Sequence, residues 1–261
     1  MKIDQILRLQ SMPLCSPSYP KGPYRFINRE YFIIVYRTHE NAISALVPEP
    51  LEPDGSNHVF FEFIRMPDSF GFGDYVESGI VIPCVYKGEK VNFTSQMYLD
   101  CHPPIAAGRE IWGFPKKLGS PKLEVVHDTL VGTLHYGNEQ IALGTMQYKH
   151  KNLLCPNNDP HNFNADSIIK KIAKTQVNLK LIPCVTGETF IAQLVGYNPT
   201  DINVIGAWGG DARLHLIPHM NAPVADLPVL EVIEGIHFVA DLTLPYGRIL
   251  HDYLKKIRKV L

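Results

Sequence analysis

Apolar and polar positions along most of this chain alternate with a period of two. Runs rich in β-branched and aromatic residues, separated by Gly, Pro, Asn and Asp, occupy residues 31–37, 58–66, 80–86, 91–99, 122–127, 129–136, 141–149, 177–183, 190–197, 213–217 and 236–244. Each predicts a strand. The clearest hairpin is 129–149, where two alternating segments flank Gly137 and Asn138, residues that tolerate the positive φ such turns require. Antiparallel pairing follows.

Helical spacing is scarce. Thr38 can cap a short helix that Pro48 ends, and residues 165–175 and 248–259 repeat apolar positions near every 3.6 residues. The last of these predicts a helix packed on the outside of a sheet. Residues 153–164, rich in Pro, Asn and Asp, read as a loop insertion, and no repeat or domain boundary interrupts the chain. Many closely spaced strands without alternating helices predict a mostly β fold: one domain over residues 1–261, an antiparallel barrel or sandwich with a few peripheral helices.

Composition narrows the function. The 261 residues carry 25 Lys plus Arg against 26 Asp plus Glu, which leaves no basic surplus for a nucleic-acid partner. Five scattered cysteines without a C-x-x-C pair read as reduced thiols, not as a disulfide framework or a zinc site. The first sixteen residues lack the apolar run of a signal peptide, and no stretch of about 18 apolar residues suggests a membrane span. A cytoplasmic protein with no membrane partner is expected.

Candidate chemistry begins at Phe114-Pro115-Lys116-Lys117-Leu118-Gly119. Pro115 pushes Phe114 towards an extended backbone, in which neighbouring side chains point to opposite sides. One lysine can then face inward while the other meets water. A lysine pair is ordinarily a solvated loop feature. Here Ile111-Trp112-Gly113-Phe114 and Leu118 flank it, and an ammonium held among such groups loses hydration, so its pKa falls and it becomes an amine nucleophile.

Glu62 shares a strand face with Phe60 and Ile64, while Val59, Phe61 and Phe63 take the other. It is either turned to solvent at a sheet edge or enclosed with a raised pKa. Glu77 and Arg29 taken alone read as a solvated loop residue and a surface ion-pair partner. His215 and His219 have a spacing seen in metal sites, but Pro218 breaks any helix that would align them, so no metal is expected. Residues 206–210 read as a turn, Gly71 and Gly73 as a flexible loop near a pocket mouth, and no G-x-S-x-G elbow occurs.

A wider set of segments changes the picture. Asn28-Arg29-Glu30-Tyr31-Phe32 and Val35-Tyr36-Arg37-Thr38, then Val47-Pro48-Glu49-Pro50-Leu51, Glu77-Ser78-Gly79, Met97-Tyr98-Leu99-Asp100 and Gly108-Arg109-Glu110 are followed by the lysine segment 115–119, by Asp128-Thr129-Leu130-Val131-Gly132-Thr133-Leu134 and by Tyr148-Lys149-His150-Lys151. In this order, over nearly the whole chain, they resemble the acetoacetate decarboxylase family. The resemblance implies an antiparallel β-cone, a high-order homo-oligomer, a 3-oxo acid substrate and no cofactor. It makes Lys116 the Schiff-base lysine and Lys117 its cationic neighbour. Arg29, Glu62 and Glu77 become the polar groups around the substrate, and Met97, Phe114 and Phe26 the residues that contact it. Activation of a lysine by a nearby cation is the standing account of this enzyme class.

Magnitudes question that account. If the two side chains diverge, their nitrogens lie on the order of 10 Å apart, and at an effective dielectric near 20 their repulsion is worth at most about 1.7 kcal/mol. Full enclosure penalises an ammonium by about 4 kcal/mol or more. Burial is therefore expected to outweigh Lys117. Two other readings fit the same residues: a Schiff-base aldolase or dehydratase acting on pyruvate-like substrates, or a noncatalytic barrel that binds a small apolar ligand.

Overall fold

Each predicted run lies in or overlaps a strand of the computed structural model, which describes residues 1–155 and 164–255. In chain order the first strands are β1 (Tyr24–Arg37), β2 (Glu52–Pro53), β3 (His58–Ser69), β4 (Gly73–Tyr86), β5 (Glu89–Leu99), β6 (Lys116–Leu118), β7 (Ser120–Val126) and β8 (Thr129–Tyr136). They are followed by β9 (Glu139–Gln147), β10 (Lys151–Asn152), β11 (Gln176–Pro183), β12 (Thr189–Tyr197), β13 (Thr200–Gly210), β14 (Ala212–Leu216), β15 (Glu231–Leu244) and β16 (Arg248–Asp252).

Two sheets result. The larger runs β10-β13-β15-β1-β3-β4-β5-β11-β12-β16, with β2 on β4 and β6 on β5; the smaller runs β14-β9-β8-β7. Among the described residues only β11 and β6 run parallel to their neighbour β5. The architecture is the expected antiparallel-rich one. Among the described residues no pairing closes the large sheet into a ring.

The alternation of residues on the long strands divides the core in two. Phe32, Ile34, Phe61 and Phe63 face the small sheet and bury themselves against Leu130, Leu134, Ile141 and Met146. Gly132 and Gly144, paired across β8 and β9, leave the space that the Phe63 ring fills, since a Cβ on either would lie 2.4 and 2.8 Å from it. The opposite face carries Tyr31, Ile64, Phe238 and Leu242 and bounds a cavity. Helix α4 (Asp166–Ala173; earlier helices are α1 Ile3–Ile6, α2 Glu40–Ser44 and α3 His102–Ala107) lays Ile168 and Ile172 over that cavity.

Several local expectations need correction. Residues 248–252 are strand β16, paired with β12 through Leu194–His251 and Val195–Ile249. A sheet edge beside them claims their backbone groups, and residues 256–259 of the expected helix lie outside the described residues. The supposed turn 206–210 belongs to β13; Gly206 gives way to a ring, as a Cβ there would lie 2.3 Å from the Trp208 indole. Thr38 does not cap α2, whose N-cap is His39 with no side-chain bond. The turn between β3 and β4 does use Gly71 and Gly73 at φ +77° and +75°, but Phe72 between them is buried and stacks on Tyr24 at 4.6 Å. Most of the loop 153–164, from 156 to 163, lies outside the described residues.

Candidate active site

The cavity between the large sheet and α4 has a volume of about 360 Å³. Strand register sets what lines it, level by level. Tyr31 stands opposite Ile64 and Ile64 opposite Glu77; the next level aligns Ile33, Glu62, Gly79 and Met97; the next, Val35, Phe60, Val81 and Thr94. On these strands Glu77 and Glu62 stand on the first two levels and the third carries no charge, while Lys171, Lys174 and Glu234 line the cavity elsewhere.

Two irregularities aim side chains into this space. Phe26 and Arg29 are three residues apart, so regular alternation would send one of them out; the register shift between them, with Asn28 at φ 53°, lets both line the cavity. A second shift beside Val81 does the same for Thr94 and Met97.

Lys116 enters through β6. After the aromatic-proline step the backbone is extended, Lys116 pairs with Met97 on β5, and the two lysines diverge as expected. Lys116 is 6% exposed and points into the cavity. Lys117 is exposed on the other side, where its ammonium donates to the Asn221 carbonyl and lies 5.1 Å from the Tyr136 ring centroid.

Glu77, 3% exposed, joins two cations: Oε1 accepts from Arg29 Nη2 at 3.1 Å, and Oε2 lies 3.3 Å from Lys116 Nζ, out of line for a hydrogen bond. Burial lowers the pKa of Lys116; Glu77 pulls it back up, and Arg29 pushes it down again. Burial also works against the charge of Arg29, but the Glu77 carboxylate beside it favours the charged form, the net shift is upward and the guanidinium stays charged. That group lies over the rings of Phe26 and Tyr31, at 5.0 and 4.8 Å. Glu62 is held up at about 7, by burial first, with Glu77 adding and Arg29 opposing.

The fold therefore brings Lys116, Glu77, Arg29, Glu62, Met97, Phe114 and Phe26 to one cavity and leaves Lys117 outside it. Reading the sequence missed Tyr75, Tyr31 and Tyr197, which also line the space and whose hydroxyls burial keeps protonated. The signal for two of them was present, since Tyr75 lies two residues from Glu77 and Tyr31 two from Arg29, each pair on one strand face. Among the described residues no group of three His, Cys, Asp or Glu side chains is placed to hold a metal ion. A buried amine next to a carboxylate in an apolar chamber can condense with a carbonyl and keep the adduct dry.

A family model described as Acetoacetate decarboxylase (ADC) matches residues 11–254. The chain belongs to the acetoacetate decarboxylase family, a family of carboxy-lyases. It is 54% identical over 244 residues to the acetoacetate decarboxylase of Acidiphilium cryptum, covering 94% of this chain and 95% of that one. Its identity to the acetoacetate decarboxylase of Paraburkholderia xenovorans is 55%, over 94% and 92% of the two chains. The crystal structure of acetoacetate decarboxylase from Legionella pneumophila superimposes with a TM-score of 0.88 at 47% identity, covering 97% of each chain.

Proposed function

We propose that this chain decarboxylates acetoacetate, giving acetone and carbon dioxide, through a Schiff base on Lys116. The observation that carries this reading is a buried amine with a lowered pKa facing an apolar chamber. The names of relatives sharing more than half of its residues support the substrate.

The steps follow from the groups present. Neutral Lys116 attacks the ketone carbon, water leaves, and the protonated imine draws in the electron pair released when the bond to the carboxylate carbon breaks. Carbon dioxide departs, the enamine takes a proton on carbon, and hydrolysis returns acetone and the free amine. Two opposite charges, on iminium and carboxylate, vanish in the bond-breaking step. An apolar chamber solvates the charged adduct poorly and the neutral enamine well, which favours that step.

Glu77 places a negative charge where the substrate carboxylate must lie, and so favours loss of carbon dioxide. Arg29 orients Glu77 through its 3.1 Å charge-assisted bond. Glu62, near 7, is matched to moving a proton at neutral pH. Phe26, Met97 and Phe114 form the walls around the small ketone. Lys117, outside the chamber, contributes little to lowering the Lys116 pKa; enclosure dominates. The same reading carries a cytoplasmic, high-order homo-oligomer, consistent with exposed apolar side chains at Ile3, Leu7, Met12 and Phe190, and sizing of the purified protein tests it.

Borohydride reduction in the presence of acetoacetate, followed by mass spectrometry, tests the chemistry. The peptide carrying Lys116 should gain the mass of a reduced adduct and activity should be lost. An unmodified Lys116 would leave a binding barrel as the better reading. Condensation of pyruvate with an aldehyde, without acetone release from acetoacetate, would indicate aldolase chemistry.

A further inference from the structure

Gly108 begins a π-helical turn (Gly108–Trp112) with φ −59° and ψ −46°, the right-handed helical well that any residue occupies. The backbone gives no reason for glycine here. Alanine at such a position favours helix and restricts the unfolded chain. Gly113, at the end of the same turn, is different: its φ of +74° and the approach of the Lys180 backbone account for it without reference to the cavity.

The reason for Gly108 lies in what faces it. A Cβ added there would stand 2.7 Å from Lys116 Cδ, 3.0 Å from Cε and 3.3 Å from Nζ, and these are its three nearest atoms. Carbon atoms in contact normally keep about 3.5–4.0 Å. The stem of Lys116 therefore rests on bare backbone. The same turn also fixes the lysine's own main chain, because Arg109 Nη1 donates to the Lys116 carbonyl at 3.2 Å and the Phe114 N–H donates to the Gly108 carbonyl at 3.0 Å. π-turns of this kind are frequent where a helix has been adapted to a site.

We propose that Gly108 is a positioning residue for the Lys116 amine: its missing side chain is the seat that sets where the nucleophile stands relative to Glu77 and the incoming ketone. The inference rests on the Schiff-base reading of Lys116 and goes beyond it, since it assigns the amine's placement to a residue that touches no substrate. Replacing Gly108 is cheap for the fold, because what must yield is the flexible end of a side chain. It is costly for the reaction, because that end carries the reacting nitrogen.

The test compares Gly108→Ala with the wild type in the full chain, measuring melting temperature, steady-state kinetics, and the rate and pH dependence of borohydride trapping with acetoacetate. The expected result is a melting temperature within a few degrees of wild type, a fall of about 100-fold in kcat and in trapping rate, and a displaced pH midpoint for trapping, as a misplaced reacting group gives. Arg109→Gln, at an exposed position, should fold in any event and lower the trapping rate about fivefold, the equivalent of one hydrogen bond. A folded Gly108→Ala with trapping rate and pH midpoint unchanged would overturn the proposal; if that variant does not fold, an unchanged Arg109→Gln would. Failure of the wild type to be trapped at all would instead remove the Schiff-base reading, and this inference with it.

Discussion

Lys116 and Lys117 are joined by one peptide bond and occupy different environments: Lys116 is enclosed with its amine 3.3 Å from Glu77, and Lys117 is outside the chamber over the ring of Tyr136. The cation in the chamber that lowers the Lys116 pKa is Arg29, and burial exceeds its effect. Lys117→Ala is therefore expected to move the Lys116 midpoint, read from the acidic limb of kcat/KM or of imine trapping, upward by less than about one pH unit. A rise of three units with structure unchanged would show that charge repulsion dominates.

Glu77→Gln acts with opposite sign on the same amine. The carboxylate favours the ammonium form, so its removal lowers the Lys116 pKa further and extends trapping to more acidic pH. Decarboxylation should nevertheless slow by about 100-fold, because the charge that disfavours the substrate carboxylate is gone. Imine formation preserved while kcat falls is the signature to measure. Full kcat and KM in this variant would refute the role given to Glu77.

How far the sequence alone reaches is clear from these residues. Extended backbone after Pro115, and hence the divergence of the two lysines, could be read directly, because proline restricts both itself and its predecessor. Glu62 could be placed on a face by alternation, but whether that face met water or a cavity depended on strands far away in the chain. Arg29 and Glu77 were the hard cases. Arg29 reaches the chamber through a register shift that no period-two pattern reveals, and Glu77 lies inside a strand that begins at Gly73, before the apolar run becomes recognisable. The C-terminal error has the same origin. Ile249, Leu250, Tyr253 and Leu254 suit a helical stripe as well as an edge strand, and only the presence of β12 decides between them.

The seam between the sheets should govern stability independently of chemistry. Gly132 leaves no room for a Cβ, which would meet the ring of buried Phe63 at 2.4 Å. Gly132→Val forces that ring or β8 to move and is expected to destabilise the fold by about 1–3 kcal/mol. Chemical denaturation measures this, and the Lys116 trapping rate per folded molecule should not change, since Phe63 faces away from the cavity.

Glu62 links the site to the pH dependence of folding. Its carboxyl titrates at about 7 in the folded protein, raised from 4.5 chiefly by burial. Between those values the folded state keeps a proton that the unfolded chain has released, so this residue's contribution is most favourable below about 4.5 and declines as pH rises to about 7. Glu62→Gln removes the decline. The variant should gain stability relative to wild type from pH 5 to pH 8, by on the order of 2 kcal/mol once partial exposure is allowed for. It should also lose the ionisation near 7 from its kcat profile if Glu62 moves the proton. Melting curves at several pH values measure the first effect and the kcat profile the second. A constant difference in melting temperature between the two proteins over that interval would mean that Glu62 titrates as an ordinary exposed carboxylate.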